Sequence, residues 1–281
     1  MKRLLTAAVL VPLALAAVFG LPGWAFLLVA AVPITGGALE FARLARRTAP
    51  KAPWALLPIL VPLAAAALAW SITPDVRIDS YAALLLGTLI AIALSLVVLL
   101  SGTPAAEALA AAGGFTFAVP YFAVPIAALY GIQRHDPWLL FLLLAIVWLG
   151  DSAAYYVGSA IGRHKLAPSV SPNKSWEGAI AGFLTSLAAT AIWSQLRLGA
   201  VDLPLVAIGG ATALSSQIGD LVESLLKRGF GVKDSGALLP GHGGFWDRMD
   251  AMLFAAPTLL LLLRFAGHPV FSPLAARAVS P

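Results

Sequence analysis

No cysteine occurs among the 281 residues, which excludes disulfides and thiolate metal sites and leaves the redox compartment unreadable. Charge is also scarce: Asp, Glu, Lys and Arg make up 11% of the chain, against roughly 25% in an average soluble domain. So little polar surface cannot cover a water-soluble globule. A disordered chain is excluded for the opposite reason, since it needs low hydrophobicity and high charge. What the chain has in quantity is apolar residues, 60% of the total, with a mean hydropathy of +0.91. Uncharged stretches run from Leu4 to Leu39, Ala52 to Pro74, Ser80 to Ala106 and Ala108 to Gln133. A helix needs about 20 apolar residues to cross a bilayer. These runs do not alternate as the strands of a membrane barrel would, so the expected fold class is all-α, a polytopic integral membrane protein.

Hydropathy divides the chain into about nine transmembrane helices: Leu4–Gly20, Pro22–Leu44, Pro53–Ile72, Tyr81–Leu100, Ala108–Ile132, Trp138–Val157, Gly178–Leu196, Leu203–Leu226 and Asp250–Phe271. Leu21-Pro22-Gly23 separates the first two. The last is the weakest, because Arg264 must reach an interface. Met1-Lys2-Arg3 before an apolar run suits a first span, and would also suit a cleavable signal peptide. With the N-terminus cytoplasmic, inside segments hold thirteen Lys and Arg residues and outside segments five: Arg77, Arg134, Arg197, Arg264 and Arg277. That asymmetry follows the positive-inside rule and accounts for the net charge of +5 without nucleic acid as a partner. Trp24, Trp54, Trp70, Trp138 and Trp193 fall near span ends, where interfacial aromatics belong. No repeat or linker divides the chain. It is expected to form one transmembrane domain over 1–281, with scaffold spans in 1–145 and catalytic spans and cytoplasmic loops in 146–271.

The residues able to do chemistry lie in the last half. Asp220, Glu223, Ser224 and Lys227 are spaced i, i+3, i+4, i+7 and share a helix face. Asp247 and Asp250 share another. Between these groups lie Lys233, then Gly241-His242-Gly243-Gly244. Carboxylates offer hard oxygen ligands for Mg²⁺, which binds through one or two of them plus substrate phosphates. Gly243 and Gly244 would let backbone N–H groups approach phosphate oxygens. Lys227, Arg228, Lys233 and Arg248 could neutralise a triphosphate. Taken one at a time, these charges could equally be ion pairs at helix ends. A second cluster places Asp151 about 13 residues, roughly 20 Å, into the sixth span. Ser171-Pro172-Asn173-Lys174-Ser175-Trp176-Glu177-Gly178 follows it, with Ser175 also a candidate helix N-cap. His242 could act as a base, or orient a phosphate or a backbone group. His135, His164 and His268 show no metal-ligand spacing. No HExxH, GxSxG or GxxxxGK[ST] pattern occurs.

The run from Ser224 to Asp250 contains Lys227-Arg228, Lys233-Asp234, Gly236, His242-Gly243-Gly244 and Asp247-Arg248. It resembles the signature of phosphatidate cytidylyltransferases, also called CDP-diacylglycerol synthases. Lys165-Leu166-Ala167-Pro168, Ser171-Pro172 and Lys174 to Gly178 are similar to that family's second hallmark, as is Asp151 with Tyr155. Ser175 stands where Thr is usual and Ala251 where Ser is usual, so at most a hydroxyl is lost at each. The first 145 residues match in hydropathy alone. The resemblance implies that CTP and phosphatidate are converted to CDP-diacylglycerol and pyrophosphate at the cytoplasmic side of a bacterial inner membrane. It also implies Mg²⁺, with or without a second cation, and membrane lipid as surroundings; a homodimer is compatible with it. By the same likeness Asp220 and Asp247 are the leading metal ligands, with Asp250 in support. Asp220, Asp247, Lys227 and His242 form the implied catalytic set. Ser171, Lys174, Arg228, Lys233, Gly243, Gly244 and Arg248 are the implied substrate contacts.

Other classes of protein predict different residues or products. A CTP-dependent lipid kinase would use similar side chains but move the γ-phosphoryl group. A transporter would use Asp151, Asp220 and Glu223 as an ion path, and commonly shows paired inverted halves. A CDP-alcohol phosphatidyltransferase would carry a DG-x-x-AR pattern, which does not occur.

Overall fold

A computed structural model describes residues 2–71, 80–236 and 243–271. The helices are α1 (Lys2–Gly20), α2 (Gly23–Ala45), α3 (Leu57–Ser71), α4 (Ser80–Leu100), α5 (Ala105–His135), α6 (Pro137–Ile161), α7 (Trp176–Leu198), α8 (Leu203–Gly229) and α9 (Trp246–Phe265). Each matches one expected span, shifted by a few residues at its ends. Among the described residues six are long and apolar enough to cross a membrane: α2, α5, α6, α7, α8, and Trp54–Ser71, which joins α3 to a short 3-10 turn. The chain is therefore an all-α polytopic membrane protein.

One element departs from helix. Between α6 and α7, β1 (Lys165–Ala167) pairs antiparallel with β2 (Ser171–Ser175), matching Lys165 to Ser175 and Ala167 to Ser171. At its base Ser175 caps α7, accepting the Gly178 N–H at 3.2 Å. Glu177 in the first turn pairs with His164 Nδ1 at 2.7 Å, so this histidine fastens the hairpin to the helix.

Helix connectivity sets which ends meet. The α6–α7 hairpin and the α8–α9 loop lie at the same end of the bundle, as does the C-terminal end of α2. α6 packs against α7, α7 against α8, and α8 against α9, while α5 runs between α2, α3 and α9. Small residues permit a close crossing of α6 and α7. A Cβ on Gly150 would meet Ser186 Oγ at 2.6 Å, and one on Gly182 would meet the Gly150 carbonyl at 2.7 Å. At the opposite end Asp202 caps α8 through the Leu205 N–H (2.9 Å) and faces His268.

Two of the five tryptophans expected at interfaces are core residues instead. Trp54 is 1% exposed, stacks on Phe115 and donates Nε1–H to the Ala49 carbonyl. Trp193 is also buried, and its indole N–H donates to the Trp138 carbonyl. Proximity to a span end does not reveal which face of the helix carries the ring. Trp24 and Trp70 are exposed, as interfacial anchors should be.

Candidate active site

Two groups of charged side chains form where α6, α8, α9 and the hairpin meet. In the first, Lys174 of β2 pairs with Asp220 of α8, Nζ to Oδ2 at 2.6 Å. Asp250 of α9 lies within electrostatic reach of Asp220, Asp151 and Lys174, and Asp151 of α6 likewise feels Asp220 and Lys174. Asp220 lies nine residues before the end of α8, about 13 Å along the helix axis. Asp220 is thus recessed within its helix, whereas Asp250 is the fifth residue of α9. Asp151 is exposed although it belongs to a spanning helix. A carboxylate so placed faces water or a partner group, because lipid would make it expensive.

In the second group, Lys227 of α8 sits between Glu223 (2.7 Å) and Asp247 of α9 (2.5 Å). Glu223 is fully buried. Asp247 accepts further hydrogen bonds from the backbone N–H of Ser235 (3.0 Å) and of Gly244 (2.8 Å). Its oxygens are thus engaged in closing the loop between α8 and α9. Gly244 owes its identity to the same packing: a Cβ there would run into Glu40 and Ser235 Oγ. Gly243 adopts φ +78, the left-handed region that favours glycine. The Gly244 N–H expected to face phosphate is therefore directed to Asp247.

The remaining expected contacts divide. Arg228 ties loops together, donating from Nε to the Val170 carbonyl and from Nη1 to the Val232 carbonyl, both at 3.2 Å. Lys233 and Arg248 are exposed on the same side. Ser171 stands opposite Ala167 at the turn end of the hairpin. His242 falls in 237–242, outside the described residues. His135 and His268 lie away from both charged groups, His135 against the Val270 carbonyl and His268 against Asp202.

One contributor was missed by sequence reasoning. Glu40 of α2 is 1% exposed and accepts from Ser235 Oγ (2.7 Å), Phe245 N–H (3.1 Å) and Trp246 N–H (3.0 Å). The signal was available: Glu40 ends a run uncharged from Leu4 to Leu39 and falls inside a predicted span. A carboxylate in that setting is retained for a purpose.

Beside these groups a groove of about 420 Å³ opens between α5 and α9, lined by Phe117, Pro120, Tyr121, Phe254, Pro257 and Thr258. It adjoins the site directly. Phe254 is one turn from Asp250 and packs on Gly219, and Tyr121 receives the Trp246 indole N–H at 3.2 Å. Grouped carboxylates, a basic hairpin above them and an apolar groove alongside suit a substrate that is anionic at one end and oily at the other.

Comparison with known proteins agrees. The sequence pattern of the cytidylyltransferase family matches residues 1–266. The chain is 42% identical over 152 residues to a Haemophilus influenzae protein named phosphatidate cytidylyltransferase, covering 51% of this chain and 53% of that one. Proteins of the same name from Brucella suis and Bacillus subtilis are 41% and 39% identical over 155 and 157 residues. Each match takes in 54% of this chain, with 57% of the Brucella protein and 58% of the Bacillus protein. The chain thus spans about half the length of the curated relatives it matches. Because the family's pattern covers nearly the whole chain, this protein belongs to the cytidylyltransferase family.

Proposed function

We propose that this chain is a membrane nucleotidyltransferase that converts CTP and phosphatidate to CDP-diacylglycerol and pyrophosphate. The observation that carries the reading is the trio Asp151, Asp220 and Asp250, within electrostatic reach of one another and of Lys174 and bordered by the α5–α9 groove. The relatives' printed name supports the same chemistry. Lys174, Lys233 and Arg248 would draw the triphosphate to the hairpin side, and the groove would take part of the lipid's acyl chains. A phosphate oxygen of phosphatidate attacks the α-phosphorus of CTP, a new P–O–P bond forms, and the bond to the β-phosphate breaks. The attacking oxygen is already anionic, so positioning and charge stabilisation dominate over base catalysis.

The donor set fits Mg²⁺. Three carboxylates that repel one another would be relieved by a divalent cation. Among the described residues no three His, Cys, Asp or Glu converge to enclose an ion. An ion held there would take the rest of its ligands from substrate phosphates and water. Asp220 and Asp250 would hold it, and Asp247 would join by releasing Lys227 or the Gly244 N–H. When bound, the ion would withdraw charge from the phosphates during transfer. The thirteen basic residues on one side of the predicted topology support a cytoplasmic site, where CTP is available.

The test is to incubate the purified protein with α-labelled CTP, phosphatidate and Mg²⁺. We expect label in a lipid product, release of pyrophosphate, and loss of both on chelation with recovery on adding Mg²⁺. Release of CDP with a newly phosphorylated lipid would replace this reading with a lipid kinase.

A further inference from the structure

We propose that Glu40 is a positioning residue for the transfer step, holding the Asp247–Lys227 pair in place from a helix far away in sequence. The proposal rests on the cytidylyltransferase reading of the site. Ser235 precedes the loop and Phe245 and Trp246 follow it, and all three donate to the Glu40 carboxylate. A single side chain of α2 therefore pins both ends of the loop. The α9 N-terminus needs such a group: Phe245 occupies its N-cap position and supplies no side-chain acceptor. The first N–H groups of a helix have no partner within it and favour negative charge. Glu40 supplies that partner from outside the loop.

Space around Glu40 tells the same story. A Cβ on Gly236 would come 2.6 Å from Glu40 Oε1, and one on Gly244 would collide with Oε2. Both flanks of the loop are thus glycine where the carboxylate fills the room. From Glu40 the contacts run onward to the charged pair. Ser235 Oγ lies 2.7 Å from Glu40 and 3.0 Å from Asp247, so its one proton serves one carboxylate at a time. The Ser235 N–H holds Asp247 in either case, and Asp247 holds Lys227. Without Glu40 the loop ends are free to separate, and Asp247 and Lys227 lose their common reference.

A purely structural role would lower the amount of folded protein and leave turnover per folded molecule unchanged. The experiment compares wild type, Glu40→Ala, Glu40→Gln and Ser235→Ala, alone and combined with Glu40→Ala. It records kcat and KM for CTP per folded molecule and amide hydrogen exchange. For Glu40→Ala we expect faster exchange at Phe245 and Trp246 with α6 and α7 unchanged. Its kcat should fall by about 100-fold, the scale of an ångström-sized misplacement, and KM for CTP should stay within about threefold. Glu40→Gln keeps one acceptor oxygen and should fall between Ala and wild type, so it carries the test if Glu40→Ala does not fold. Adding Ser235→Ala to Glu40→Ala should cost little more, because both lie on one path. A kcat per folded molecule within about threefold of wild type in both Glu40 variants would overturn the proposal. Fully independent effects of Glu40 and Ser235 would overturn the route through Ser235. A wild-type protein that transfers no cytidylyl group would instead remove the reaction, with the exchange measurements still deciding the Glu40 contact.

Discussion

Lys174 and Lys227 both pair with aspartates, yet removing them should have different consequences. The Lys174–Asp220 pair is partly exposed, with side-chain exposures of 26% and 32%. Pairs of that kind contribute at most about 1 kcal/mol to stability. Asp220→Asn should therefore fold and insert normally while turnover disappears, and Lys174→Ala should raise KM for CTP at nearly unchanged stability. Kinetics and thermal unfolding in detergent check both, and near-normal turnover in Asp220→Asn would remove it from the metal site. Lys227 is held between two carboxylates, one fully buried. Asp247→Asn leaves Lys227 paired with Glu223 but keeps only one acceptor oxygen for Lys227 and the Ser235 and Gly244 N–H groups, and a buried donor left unpaired costs about 1–3 kcal/mol. Asp247→Asn should consequently lose both stability and turnover, a combination that spacing alone did not predict. Residue types and their order were legible in the sequence. The partner of each charge was not, because Asp220 shares a helix face with Glu223, Ser224 and Lys227 but pairs with a lysine from another element.

Elements were legible wherever local rules act. Ser175 was expected to cap a helix and does so, and the break at Leu21-Pro22-Gly23 separates α1 from α2. The hairpin was not expected, because its strands of three and five residues are too short to show alternation against the helical background. Asp202 offers a test at this scale. The Leu205 N–H donated to its carboxylate, with His268 beside it, holds the Asp202 pKa below the ordinary 3.8. A group lowered on folding contributes stability that is present above its unfolded pKa and is lost as pH falls through its folded one. Asp202→Ala should therefore cost about 1 kcal/mol at neutral pH, as loss of an N-cap does. The gap in melting temperature between variant and wild type should narrow as pH drops below 3.8. A gap that stays constant through that range would mean that packing, not the carboxylate, supplies the contribution.

At the scale of the whole molecule, the absence of cysteine becomes a tool. Single cysteines introduced into this background report sidedness without interference. Lys165→Cys, in the hairpin, should react with a membrane-impermeant thiol reagent after the cytoplasmic face is opened and not before. Val201→Cys, at the opposite end between α7 and α8, should react in intact cells. The reverse pattern would invert the proposed orientation and place the site away from CTP. The early spans, which offered no catalytic candidate, matter at this scale too. α2 delivers Glu40 to the loop, and α5 forms one wall of the groove beside Asp250.

The sequence by itself determined that this chain lives in a membrane, that it is built from apolar helices and where its charge is concentrated. Each of these follows from composition and local order, since a 20-residue apolar run has few alternatives to a spanning helix. Tertiary structure decided which charges meet: Lys174 with Asp220, Lys227 with Glu223 and Asp247, and Glu40 with the two ends of the loop. Those pairings join residues up to 206 positions apart. They depend on how helices cross, and no local pattern in the chain encodes which partner a buried carboxylate will find.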